Sequence, residues 1–480
     1  MILKLNNVKF LVKSRWILST VTYLTIFYNC LNLNSESLAN VQVQVEKNDT
    51  TSNNANINNS LPQQIISLES AFTKANQENK EIFIAKYNLA IAKSQITIAK
   101  AIANPRFSLQ YGFGPAFTII LAGNPQQFGL QFDIPTAGKR SKNINLANSN
   151  YELTKFQLEA LLFDIHNRTR RAYADLVAAE AYEDLIEAQR RSALELQTIA
   201  KMRYDAGKSP MSEVLLSKLG VIQFDIQRKQ AKTRLKQASA TLTQLLGETP
   251  KRVEIINVDD NGLFNLTANK SSIVPSPKLD LPKLDELLPM AKAQRPDLKT
   301  LIQQAYSDKQ AIAVAKAKRI PDLFIDSGYQ FTTFLKHQPY DAYPYSVPNS
   351  PGCYLNVEVE LPILYQYQGE IMQSKETWLQ DFDQINQLKL QIACDIVVSY
   401  EAVQVTRANV IKYQLELIPK ALKVSNLAFK SYAVGKGDLS AAILARQQYQ
   451  QILASYFDTI VAYQNAWADL EKAMGVSLKL

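Results

Sequence analysis

The chain has 480 residues, 46% of them hydrophobic, with only 15 Gly and a formal net charge of +9. Its mild positive charge forms no basic stripe with interleaved aromatics, which argues against a nucleic-acid partner. Three Cys without metal-type spacing and two His (His166 and His337) leave little from which to build a metal site or a His-based triad, and no nucleophile–base motif or phosphate-binding Gly loop is present. The expectation is a protein that is not an enzyme, with no catalytic residues, cofactor or metal.

The N-terminus reads as an address. Residues 1–15 are basic, 16–33 are largely apolar, and Ser37-Leu38-Ala39 places small residues where signal peptidase reads, so 1–39 is expected to be a secretory signal peptide cut after Ala39. A retained anchor helix is the competing reading, because the apolar run is of marginal spanning length. Cys30 is a weak acylation candidate, since Tyr28 and Asn29 stand where small residues are wanted. The segment 40–66 is rich in Asn, Thr and Ser and reads as a flexible lead-in.

An internal duplication organises the rest. At a shift of 216 residues, Leu68 falls on Leu284, Ala75 on Ala291, Ala99-Lys100-Ala101 on Ala315-Lys316-Ala317, Pro105 on Pro321 and Gly112 on Gly328. Further on the shift becomes 228, and Gly207-Lys208 falls on Gly435-Lys436, Ser212 on Ser440, and Leu246-Gly247 on Met474-Gly475. The expected units are a first repeat at 67–250, a Pro-rich connector at 251–282 and a second repeat at 283–480, each running helix, Pro, strands, long helix, Gly turn, returning helix.

In the first repeat, Phe107, Leu109, Tyr111 and Phe113 alternate with Ser108, Gln110, Gly112 and Gly114, and Phe128, Leu130, Phe132 and Ile134 with Gly129, Gln131 and Asp133. The second repeat answers with Leu323, Ile325 and Tyr329 against Phe324, Asp326 and Gln330, and with Leu355, Val357, Val359 and Leu361 against Asn356, Glu358 and Glu360. Period-2 alternation predicts four strands with one apolar and one polar face. A half-buried sheet has this pattern, and so does a transmembrane β-barrel. Four strands close a barrel only by oligomerising. After the first pair, 139–206 runs 68 residues without Gly or Pro, a helix of about 100 Å if continuous. It turns at Gly207-Lys208-Ser209-Pro210 and returns over 211–246. The second repeat repeats this over 370–434, with one Pro at 419, and 438–474. On the last helix Leu439, Ala442, Arg446, Tyr449, Leu453, Tyr456, Ile460, Tyr463, Trp467, Leu470 and Met474 keep heptad spacing, with Arg446 the one polar member.

Over 68–475 these features resemble the TolC-like outer-membrane efflux proteins of Gram-negative bacteria. The carrying motifs are Ala315-Lys316-Ala317 followed by Arg319-Ile320-Pro321-Asp322, and the turns Arg203-Tyr204-Asp205-Ala206-Gly207 and Ser431-Tyr432-Ala433-Val434-Gly435. Gly138-Lys139-Arg140, Leu361-Pro362-Ile363-Leu364 with Gln368-Gly369-Glu370, and Leu417-Ile418-Pro419 are similar to the cobalt–zinc–cadmium efflux subgroup, from which Tyr365 and Tyr367 depart. The resemblance implies a mainly α fold with a small β part: long duplicated hairpins forming an α-barrel, and four strands per chain in a trimeric 12-stranded transmembrane β-barrel. It implies a homotrimer in outer-membrane lipid, extending into the periplasm and working with a periplasmic adaptor and a proton-driven or ABC-type inner-membrane pump. The implied activity is passive conduction of small solutes or metal cations. The alternatives are the exit channel of type I protein secretion, or a secreted coiled-coil scaffold that conducts nothing.

Two sets of residues follow as candidates. With the apolar strand faces on lipid, Asp133, Asp326, Glu358 and Glu360 face the lumen and favour cations; the plainer reading is a solvated wet wall. By the resemblance, Arg203, Asp205, Gly207, Lys208, Tyr432, Gly435, Lys436 and Asp438 lie at the periplasmic tip, near adaptor contact and gate. There Gly207 and Gly435 supply turn geometry, and capping of the returning helix is the competing role for Asp438.

Overall fold

The computed structural model describes residues 64–111, 125–250, 253–255, 273–275, 283–332 and 352–477. The signal-peptide, anchor and Cys30 readings lie outside the described residues, as do Gly112, Phe113, Gly114 and His337.

The chain begins with β1 (Gln64–Ile66), α1 (Leu68–Glu78), α2 (Lys80–Lys100), β2 (Arg106–Tyr111), β3 (Pro125–Ile134), α3 (Lys139–Asp205), α4 (Met211–Leu245) and β4 (Val253–Ile255). It continues with α5 (Leu284–Gln294), α6 (Pro296–Ala317), β5 (Leu323–Thr332), β6 (Gly352–Val359), α7 (Gln368–Lys412), a π-helical turn (Tyr413–Leu417), α8 (Ile418–Ala433) and α9 (Leu439–Met474). The fold is therefore mainly α with a small β part. The two short strands β1 and β4 pair in parallel, so the last three residues of the 40–66 segment are strand.

The 67-residue α3 is continuous, as its lack of Gly and Pro predicts. The corresponding limb of the second repeat is not. Pro419 sits at the start of α8, and the π turn directly precedes it, where the missing N–H and the ring disturb the helical ladder.

The duplication is visible in the packing. The α1–α2 break at Asn79 and the α5–α6 break at Arg295 occupy positions related by the shift of 216. Against each break rests the glycine that ends a returning helix. A Cβ on Gly247 would lie 2.2 Å from the carbonyl oxygen of Glu78, and one on Gly475 would lie 2.5 Å from the Cα of Arg295. Asn79 caps α2 by accepting from the Glu81 N–H at 2.7 Å, and its amide donates to the carbonyl of Leu245 at 2.8 Å.

The core lies where α3, α7 and α9 pack with the short helices. The α9 seam is buried along its length, with Tyr456, Tyr463, Trp467 and Leu470 at its centre. Arg446 is half-buried, with its guanidinium 4.4 Å from the centre of the Phe429 ring. Runs of small residues on α3 (Ala172, Ala174, Ala178, Ala179, Ala181) are also buried, which lets neighbouring helices approach closely. One ion pair is buried among them: Arg170 on α3 meets Glu471 on α9 at 3.2 Å, and the Trp467 indole N–H donates to the same carboxylate at 3.3 Å. No described helix is long and apolar enough to cross a membrane.

Candidate functional site

The four longer strands form one antiparallel sheet in the order β2-β3-β5-β6, joining the two repeats through β3 and β5. The register pairs Phe107 with Leu130, Phe132 with Ile325 and Ile325 with Val357, so the apolar residues of all four strands share one face. That face is open: Phe107 and Leu109 are each 68% exposed, Leu355 71%, and Phe128, Leu130, Phe132 and Ile134 over 40%. In water such a patch is unfavourable by about 25 cal/mol per Å². A hydrocarbon solvent removes the penalty. Both β3 and β5 have 10 residues, within the length that a tilted strand needs to cross a bilayer core.

The opposite face is polar, and the register assembles Asp133, Asp326 and Glu358 on it. Glu360 lies one residue beyond β6 and is exposed, as is Glu358. The two aspartates are engaged. Asp133 forms an ion pair with Arg106 on β2, a partner that the carboxylate pattern did not reveal, although Arg106 shares the parity of Ser108 and Gln110. Asp326 accepts from the hydroxyl of Tyr354 at 3.2 Å and of Ser108 at 3.5 Å. Lys139 and Arg140 do not offset these carboxylates. Lys139 pairs with Asp322 at 2.8 Å, and Arg140 donates to the carbonyl of Lys100 at 3.1 Å.

At the far end of the hairpins the two turns meet. Gly207 (φ 72°) and Gly435 (φ 82°) both adopt the left-handed conformation that Gly takes without steric cost. The N–H groups of Lys208 and Lys436 then donate to the carbonyls of Arg203 at 2.8 Å and Ser431 at 2.9 Å, closing matching turns. Arg203 donates to the carbonyl of Tyr432 at 2.8 Å, and its guanidinium lies 4.7 Å from the centre of that ring. The Tyr432 side chain is fully buried and its hydroxyl donates to Glu213 on α4 at 3.0 Å. Burial, with the Glu213 hydrogen bond second, pushes this phenol up to about 12, so it remains a donor at neutral pH. Glu213 was not legible as a partner, because its position relative to Tyr432 is set across 219 residues. Asp438 caps α9 by accepting from the Ser440 N–H at 3.1 Å. Asp205, Lys208 and Lys436 are exposed and make no side-chain bond among the described residues.

Among the described residues no group of three or more His, Cys, Asp or Glu is placed to hold a metal ion, and Cys353 and Cys394 are free and exposed. What the arrangement offers is a sheet with a lipid-compatible face and an acidic face, carried on a helix about 100 Å long that ends in paired, pinned turns.

This combination is the one that a strand-contributing protomer of a membrane barrel requires. The model of the outer membrane efflux protein family matches residues 71–248, the first repeat. The solved outer-membrane channel OprN superposes with a TM-score of 0.66 at 13% identity, covering 85% of this chain and 90% of its own. CusC gives 0.66 at 15% identity over 89% and 96%, and the CmeC outer membrane channel of Campylobacter jejuni 0.64 at 18% over 85% and 85%. No curated protein matches the chain. The first repeat thus matches the outer membrane efflux protein family, and the chain shares the fold of these solved outer-membrane channels.

Proposed function

We propose that this chain is one protomer of a homotrimeric exit duct in the outer membrane of a Gram-negative bacterium, conducting small solutes or metal cations passively from an inner-membrane pump. The observation that carries the reading is the sheet. Its apolar face is exposed over all four strands, and the outer edges of its terminal strands β2 and β6 are unpaired among the described residues. Three such sheets joined edge to edge give twelve strands, lipid outside and an acidic lumen inside. The hairpins continue the conduit into the periplasm, and their tips carry the exposed Lys208 and Lys436 toward a periplasmic adaptor. The Arg203–Tyr432–Glu213 contacts hold the two hairpins of one protomer together and act as the closed latch of the conduit. The acidic wall, together with the resemblance to the cobalt–zinc–cadmium subgroup, supports cations as cargo.

The test is the mass and conductance of the purified protein in detergent and planar bilayers. A trimer with discrete channel events is expected. A soluble monomer without conductance would overturn the barrel reading.

A further inference from the structure

Where the polar face of the sheet meets the helices there is a cleft of about 330 Å³. It is lined by Phe324, the one large apolar side chain on that face among the described residues, and by the strap that joins β6 to α7. A volume of this order fits a small organic molecule.

Two features of the strap point to a ligand. Tyr365 and Tyr367 place their rings 5.8 Å apart at 46°. The Tyr365 ring is held in position: its hydroxyl donates to the Glu370 carboxylate at 2.5 Å and accepts from the Gly369 N–H at 3.1 Å. Tyr367 adopts φ 57°, ψ 31°, a left-handed conformation that is sterically costly for an aromatic residue and for which Gly or Asn is the usual choice. Such strain persists where the surroundings over-determine it, commonly at sites that bind. Here it turns the Tyr367 side chain into the cleft that Tyr365 also lines.

The charges decide the kind of ligand. Lys139 is neutralised by Asp322 at 2.8 Å, and Lys318 stands in the field of Glu370. Glu360 is exposed and forms no ion pair among the described residues, so one carboxylate is left over beside two aromatic faces. Aromatic faces attract cations and do not attract anions.

We propose that this cleft is a binding station for organic monocations, with the cationic part over the Tyr365 and Tyr367 rings and paired with Glu360. The station rests on the exit-duct reading for its place on the transport path, while binding itself is a property of the cleft.

Ethidium, a planar organic cation, serves as the probe, titrated by fluorescence anisotropy into the purified protein in detergent. Saturable binding is expected, competed by tetraphenylphosphonium and not by an anionic dye of similar size. Y367G removes the ring at a position whose backbone suits Gly, so the fold is retained. It is expected to weaken binding about tenfold, and E360Q by a similar factor. Binding that never saturates, that an anionic dye competes equally well, or that is unchanged in both variants overturns the station. Single-channel conductance of the same preparation reads the duct separately: conducting channels without ethidium binding overturn the station and leave the duct reading intact.

Discussion

Arg203, at the end of α3, and Tyr432, at the end of α8, are joined twice: by a hydrogen bond of 2.8 Å to the Tyr432 carbonyl and by a guanidinium 4.7 Å from the ring centre. They are 229 residues apart and stand beside the two turns of the duplicated hairpins. With the Tyr432 hydroxyl on Glu213, the contact fastens the second hairpin to both limbs of the first. Tyr432→Phe retains the buried ring and deletes only that last hydrogen bond. The expected outcome is a small loss of stability, about 1 kcal/mol, with a higher open probability in single-channel recording. Unchanged gating in both Tyr432→Phe and Glu213→Gln would remove the latch from the mechanism.

Lys208 and Lys436 follow the turn glycines, are exposed, and make no side-chain bond among the described residues. Reversing both to Glu is expected to leave thermal stability within about 0.5 kcal/mol of the parent while abolishing crosslinking to a periplasmic adaptor. Crosslinking that survives the reversal excludes these lysines from the docking surface.

On the sheet, Asp326, Glu358 and Glu360 are the carboxylates that no described cation offsets, whereas Arg106 offsets Asp133. The triple change to Asn and Gln is expected to reduce the cation preference read from reversal potentials in a salt gradient. Asp133→Asn alone should move it the same way by a smaller amount, because it removes one carboxylate and leaves Arg106 unpaired. An unaltered reversal potential in the triple variant would reduce these groups to a solvated wall.

The Arg170–Glu471 pair is taken fully out of water, at 5% and 0% side-chain exposure. Removing one partner leaves a buried charge unpaired, so Glu471→Ala is expected to cost about 3–5 kcal/mol, seen as a large fall in the melting midpoint. Joint replacement with Arg170→Met should recover most of it. Failure of the double variant to recover would mean that the bond from Trp467 to Glu471, rather than the ion pair, carries the stability.

Asp381 on α7 is buried at 5% exposure beside Asp308 on α6, and burial with that neighbouring carboxyl pushes its pKa up to about 6. A carboxyl whose folded value exceeds its unfolded one binds protons more strongly in the native state. Its contribution therefore favours folding below about pH 4 and is lost as pH rises through about 6. Stability should fall between those limits, and Asp381→Asn should flatten that slope and raise stability at pH 7 by about 1–3 kcal/mol. A parallel pH profile in the variant would place the titration elsewhere.

Much of the architecture was legible in the chain because its signals are local. The absence of Gly and Pro over 139–206 predicts an unbroken helix, and α3 is one. Strict alternation predicts the strands with their apolar and polar faces, and the register keeps those faces intact. The heptad residues of α9 are buried, with Arg446 the half-buried exception. Each of these patterns depends on neighbours within a few residues, whose relative directions the backbone geometry sets.

Only the tertiary structure decided which distant groups meet. It brought Arg203 to Tyr432 and Tyr432 to Glu213, set Arg106 against Asp133, buried Asp381 by Asp308, and turned Tyr367 into a left-handed conformation beside Tyr365. The physical reason is that a side chain has no preference for a partner two hundred residues away until packing has excluded water and fixed both backbones. The sequence alone determined the elements, their order and their duplication; contacts across the hairpins and sheet, made after those elements packed, determined how the two turns are joined, the charge of the sheet's polar face and the cleft.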